Sequence, residues 1–171
     1  VQDRVEEHVQ VSTHALESAL FQAVAGFVEE RLRGEDVLLV AYNGERWRGG
    51  FDLPFLRTRA ATLGVEWPLS GVPFADLLPV VTNRFNTTVE GDEQSDLPGV
   101  YAVLCDGGLN EADPFEDSGE AVEAFADGRL VELAVHNVAD VLRTQAVGRV
   151  TERYCGKSEF TVKSLTPTQY G

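Results

Sequence analysis

Three side chains carry the chemistry that this sequence offers most readily: Asp52, His136 and Asp140. His136 and Asp140 stand four residues apart in Leu130-Val-Glu-Leu-Ala-Val-His-Asn-Val-Ala-Asp-Val-Leu-Arg-Thr144. On a helix that spacing puts both on one face. A His with a pKa near neutrality can take a proton from water, and an Asp carboxylate can hold a metal ion. The same pair also reads as an ordinary couple on a helix surface. Asp52 stands in Phe51-Asp-Leu-Pro-Phe-Leu56, after the apolar run Val37-Leu-Leu-Val40 and the loop beginning Ala41-Tyr-Asn-Gly44. At the end of a buried strand its carboxylate can reach a divalent cation. It can equally cap the helix that follows, because Pro54 suits a first turn where an N–H would be unpaired.

The elements that must position these residues follow from periodicity. Leu16, Ala19, Leu20, Ala23, Val24, Phe27 and Val28 recur at three- and four-residue spacing and predict a helix over 15–32, ended by Gly34. Residues 37–42 predict a short central strand, and 52–63 a helix ended by Gly64. A strand over 74–78 carries Asp76 into a turn, with Asp76 read as structural. Residues 85–96 read as a loop or an exposed helix end, 97–104 as a helix and 110–119 as a solvated acidic loop. Further helices are expected over 120–125 and 130–144, and 154–171 as a poorly packed extension or a strand-like arm.

At 171 residues the chain is expected to form one domain with a real core. Its net charge is −14, and Lys occurs only at Lys157 and Lys163. Abundant acids with scarce Lys suggest a halophilic protein, since carboxylates keep a surface hydrated while molar salt screens their repulsion. Cys105 and Cys155 are too few for a disulfide framework or a zinc site, and are read as free thiols in a reducing cytoplasm. Arg46, Arg48, Arg57 and Arg59 bracket Asp52 and interleave with Trp47, Phe51 and Phe55. That patch is compatible with gripping a single strand by phosphate contact and stacking. Its plainer reading is helix-surface arginines with core aromatics.

The string Tyr42-Asn43-Gly44 followed by Phe51-Asp52-Leu53-Pro54-Phe55-Leu56 resembles the second motif of the DEDD-type 3′–5′ exonucleases. These belong to the ribonuclease H-like superfamily and include polymerase proofreading domains. The gap between Asn43 and Asp52 is a few residues longer than the family's usual form. The string around His136 and Asp140, with Arg143-Thr144 after it, resembles the third motif in the branch that uses Tyr-x-x-x-Asp. Here His136 stands at the aromatic position. The sister branch uses His with one more residue before the Asp, so this chain combines the spacing of one with the residue type of the other. The resemblance spans about residues 12–150.

The resemblance implies an α/β, ribonuclease H-like fold, with a central mixed sheet flanked by helices on both faces. It implies Mg²⁺ or Mn²⁺ in a two-metal site, with Asp52 and Asp140 as ligands and His136 as base or water-positioning group. It also implies single-stranded nucleic acid as partner, DNA before RNA, contacted by Asn43, Arg46, Arg48, Phe51 and Phe55. The family's first motif, Asp-x-Glu on a strand, has no match; Asp3-Arg-Val-Glu6 has the wrong spacing. Since the chain begins at Val1 and contains no Met, that motif is expected either upstream of it or lost. The alternatives to an active exonuclease are a catalytically silent domain of that fold, which binds nucleic acid or a protein, and an acidic interaction domain unrelated to nucleic acid.

Overall fold

A computed structural model describes residues 16–34, 37–45 and 52–167. The expected strand end over 8–11 and the capping Ser12 or Thr13 lie outside the described residues, as do Arg46, Arg48 and Phe51. Among the described residues, Val81–Cys155 forms one compact unit and the stretches on either side of it form another. The protein is α/β, with α-helices and a small mixed sheet.

The sheet unit begins with α1 (Glu17–Phe27), whose last turn widens into a π-helical segment, Val28–Leu32. The amide of Arg33 closes it on the Val28 carbonyl at 2.8 Å, and Gly34 leaves with φ 92°. β1 (Leu39–Ala41) follows, shorter than the strand expected over 37–42. α2 (Asp52–Leu63) has the expected bounds, and Gly64 ends it at φ 65°, in the left-handed region where glycine has no steric penalty. β2 (Pro73–Asp76) runs parallel to β1, pairing Leu39 with Phe74, Val40 with Ala75 and Ala41 with Asp76. β5 (Lys163–Ser164) lies antiparallel on the other side of β2, giving the order β1-β2-β5.

The core of this unit is Leu53, Phe74 and Leu165, with Leu39, Ala41, Trp67 and Leu69 packed around it. Of the two expectations for 154–171, β5 and buried Leu165 favour the strand-like arm over the poorly packed extension. The C-terminal segment has little apolar periodicity, yet a single buried leucine after a two-residue strand is enough to seat it.

Asp76 fixes the chain as it leaves β1. Its Oδ1 accepts from the amides of Asn43 (2.8 Å) and Leu78 (3.1 Å), and its Oδ2 from that of Glu45 (3.3 Å). The amide of Leu77 donates to the Ala41 carbonyl, and that of Leu53 to Gly44. Asn43 takes φ 58°, a conformation that Asn tolerates better than most residues. At Gly44 a Cβ would stand 2.8 Å from that of Ala41, so only glycine fits without displacing the strand. Asp76 is therefore a structural brace, the role in which its sequence context reads it.

The helical unit contains most of α3 (Leu78–Arg84), a hairpin of β3 (Thr88–Val89) and β4 (Asp92–Glu93), α4 (Leu97–Leu104), α5 (Gly108–Ala112), α6 (Ser118–Ala126) and α7 (Leu130–Tyr154). The hairpin replaces the loop expected over 85–96. Its turn residues, Glu90 (φ 52°) and Gly91 (φ 99°), are both left-handed, and Glu is an unusual residue for that role, so the turn signal is faint. α4 begins as expected, with Asp96 accepting from the Gly99 amide at 2.8 Å and Pro98 in the first turn. α4, α5 and α6 all pack on α7. No described helix is long and apolar enough to cross a membrane.

Replacing Asp76 with Ala leaves the Asn43 and Glu45 amides without their acceptor. The expected loss is about 1–3 kcal/mol, the cost of orphaning partly buried donors. It is read as a lower urea midpoint with an unchanged slope.

Candidate functional site

α7 carries its buried residues at intervals of four: Ala139, Arg143, Val147 and Thr151. Three of these suit a helix face turned inward, and the fourth is a guanidinium. Arg143 is 1 % exposed, so its donors must find acceptors within the protein. They do. Nε donates to Asn110 Oδ1 (2.8 Å) and Nη2 to the Leu109 carbonyl (3.2 Å). Nη1 donates to Asp113 Oδ2 (2.6 Å) and to Asp140 Oδ1 (2.9 Å).

Asp113 is the second buried charge, with its side chain 4 % exposed. It was expected on a solvated acidic loop, and the structure corrects that. The segment after α5 turns inward, Phe115 is buried, and the Phe115 amide donates to Asp113 Oδ1 at 3.1 Å. The other acids there have local tasks: Asp117 caps α6 through the amides of Gly119 and Glu120, and Glu120 accepts from that of Glu116. Composition alone cannot separate an acid that faces water from one that answers a buried arginine. The available signal was Arg143 itself, four residues from Ala139 and from Val147 and so on one helix face with them.

His136 lies one turn before Asp140, and its Nδ1 sits 2.9 and 3.0 Å from the two oxygens of Asp113. Its Nε2 is 3.6 Å from Asp140 Oδ2. The ring packs at a tilt against Phe115 (centroids 5.3 Å apart), and the Arg129 guanidinium covers Phe115 from 5.7 Å. His136 is 23 % exposed and Asp140 is 41 % exposed. Asp113 thus holds one nitrogen of the ring while the other lies beside a half-exposed carboxylate. The carboxylate neighbour fixes the tautomer with the proton on Nδ1, leaving the lone pair of neutral His136 on Nε2.

The electrostatics of Asp113 are a contest. Burial pushes its carboxyl up, but hydrogen bonds from Arg143 and His136, and that from the Phe115 amide, outweigh burial and hold it below the usual carboxylate range. A related balance joins α4 to α5. The Tyr101 hydroxyl donates to Asp106 Oδ1 at 2.7 Å, and the Gly108 amide donates to the same oxygen at 3.1 Å. The bond lowers the Asp106 carboxyl and raises the Tyr101 phenol.

The other sequence candidates sit in the sheet unit. Asp52 opens α2 and is exposed, as its role in a first turn requires. Asn43 serves through its backbone, and its Oδ1 is buried with no hydrogen-bond partner among the described residues. Phe55 is exposed on α2. Two arginines of the basic patch already have partners: Arg59 pairs with Glu17, its Nε 2.7 Å from Oε1, and Arg57 lies over Trp67 at 5.5 Å.

A two-ion Mg²⁺ or Mn²⁺ centre needs several carboxylate oxygens free for the ions. Around His136, both oxygens of Asp113 and Oδ1 of Asp140 already accept from Arg143, His136 or Phe115. A guanidinium also occupies the middle of the cluster. This cluster by itself does not fit such a centre.

Replacing Arg143 with Met takes the guanidinium from buried Asp113 and leaves it only His136 and the Phe115 amide, with an expected cost of about 3–5 kcal/mol. The Asp113→Asn, Arg143→Met double variant is expected to lose clearly less than the two single losses added, in a thermal-melt cycle. The pH dependence has a definite sign. Asp113 is depressed when folded, so its contribution is fully present above the unfolded value of about 3.9 and is lost as pH falls through the folded one. Asp113→Asn should therefore flatten the acid limb of stability below about pH 4.

No protein-family model matches the chain, and no curated protein or solved structure does either.

Proposed function

We propose that this chain is an exonuclease-like domain that hydrolyses phosphodiester bonds at single-stranded DNA ends, with His136 as base or water-positioning group. The observation that supports the reading is the orientation of His136. Asp113 holds Nδ1, and Nε2 lies beside Asp140 on a face that water reaches. A neutral imidazole so held can accept a proton from an attacking water, and the carboxylate that steadies it stabilises the cation that forms. The motif strings lend support from sequence: the Asn43 loop follows a strand, Asp52 opens the next helix, and Asp140 stands on a later one.

The resemblance brings metal dependence with it, and the His136 cluster does not supply the necessary carboxylates. Hydrolysis with two ions would draw on Asp52 and on an Asp-x-Glu pair that the sequence lacks. The second reading, a catalytically silent domain of the same type that binds nucleic acid or a protein, is favoured by Arg143. Its guanidinium neutralises the carboxylate that the family gives to a metal.

Degradation of a 5′-labelled single-stranded oligonucleotide in molar KCl with Mn²⁺ separates the two. The exonuclease reading expects a 3′-shortening ladder, lost at least 100-fold in His136→Gln, as for removal of a general base. It also expects the ladder to be lost in Asp140→Asn. Folded protein that binds the oligonucleotide without shortening it establishes the silent domain. Folded protein that does neither sinks both.

A further inference from the structure

We infer that His136 Nε2 and Asp140 Oδ2 form a chelate for one borderline transition-metal ion, with Zn²⁺ as the probe and Asp113 as the residue that positions the ring. The inference starts from geometry. Two ligands about 2.1 Å from a tetrahedral zinc ion stand about 3.4 Å apart. The observed separation of these two atoms is 3.6 Å, so closure needs a shift of a few tenths of an ångström in a half-exposed side chain. His and Asp four apart on α7 share one face, which keeps both donors on the same side of the helix.

The second observation is the support behind the ring. A metal-binding histidine nearly always donates its other N–H to a carboxylate or a carbonyl, which fixes the tautomer and raises ligand basicity. His136 has that partner in Asp113, and Asp113 is itself held by Arg143 and the Phe115 amide. Ligand atoms of Asp113, His136 and Asp140 all lie within 4.8 Å of one another, so a three-ligand site is the first arrangement to consider. The hydrogen bonds decide against it. Asp113 is committed to Arg143 and to His136 Nδ1, whereas Asp140 gives Arg143 only Oδ1 and turns Oδ2 to Nε2.

Charge and donor type narrow the ion. Two carboxylates and one guanidinium leave one net negative charge beside the imidazole. One nitrogen and one oxygen suit Zn²⁺, Ni²⁺ or Co²⁺, while Mg²⁺ prefers oxygen ligands throughout. The remaining positions on the ion would be filled by water. An ion on Nε2 takes the lone pair that the nucleolytic reading uses as a base, so Zn²⁺ and proton abstraction exclude one another at this ring. Binding is therefore measured without nucleic acid, where it stands or falls whatever the nuclease assay returns.

The test follows the imidazole nitrogens of the full chain, ¹⁵N-labelled at histidine, by NMR in molar KCl with Cys105 and Cys155 replaced by Ser. The His136 signals are assigned by their loss in His136→Gln, which separates them from His8 and His14. Zn²⁺ is expected to move the His136 Nε2 resonance saturably, and Mg²⁺ at the same concentration to leave it in place. Asp113→Asn should weaken the Zn²⁺ response 10- to 100-fold, as for other residues that support a metal-binding histidine. Asp140→Asn, at a half-exposed position, should weaken it at least tenfold and serves if Asp113→Asn fails to fold. An unmoved His136 resonance in folded protein, or a Zn²⁺ response unchanged by Asp140→Asn, overturns the inference.

Discussion

A guanidinium inside a helix face must be answered, and the helical unit is arranged around that demand. Arg143 draws the Leu109 carbonyl and Asn110 from α5, Asp113 from the segment after it and Asp140 from its own helix. Without it, Asp113 would have no reason to leave water. With Asp113 drawn in, His136 gains a fixed partner for Nδ1, and its Nε2 is aimed at Asp140. A buried ion pair is weak evidence for stability, since well-packed apolar residues often do as well. What Arg143 supplies is position. The ring that carries the candidate chemistry is oriented by a residue that never touches it.

This explains which parts of the site were legible. His136 and Asp140 are local to one another, and helical spacing alone puts them on one face. Asp113 is 23 residues from His136, and its neighbours Glu111, Glu116 and Asp117 are exposed, so its segment reads as surface. The long helix itself was under-read, because its buried stripe of small and polar residues, Ala139, Arg143 and Thr151, has little apolar contrast. In the sheet unit the strong signals were geometric: Pro54 inside the start of α2, Gly64 after its end, a short apolar run for β1. The hairpin escaped, and β5 was legible only as a strand-like arm without bounds, because two-residue strands carry no period.

The sheet unit solves a different problem with the same kind of residue. Parallel β1 and β2 bring the Ala41 and Asp76 ends together, and Asp76 then ties down the chain that leaves β1. Gly44 permits the close approach to Ala41. The Leu53 amide, donating to the Gly44 carbonyl, ties the first turn of α2 to this braced loop. The three-stranded mixed sheet agrees with an α/β assignment and is smaller than the central sheet that the exonuclease resemblance implies.

The charge of −14 bears on the nucleic-acid reading more than on the fold. At molar salt the screening length is about 3 Å, so the long-range repulsion between acids and phosphates largely disappears, and so does long-range attraction. Only contacts made at close range remain. Arg59 and Arg57 already answer Glu17 and Trp67, which weakens the case for a wide basic grip around Asp52. Stacking is different in kind. A base stacked on an aromatic is worth about 1–3 kcal/mol, and the contact needs no phosphate charge. Phe55 stands exposed on α2, one turn from Asp52. On the proposed nucleic-acid reading, stacking on the Phe55 ring is a contact that molar salt weakens less than it weakens attraction between arginine and phosphate.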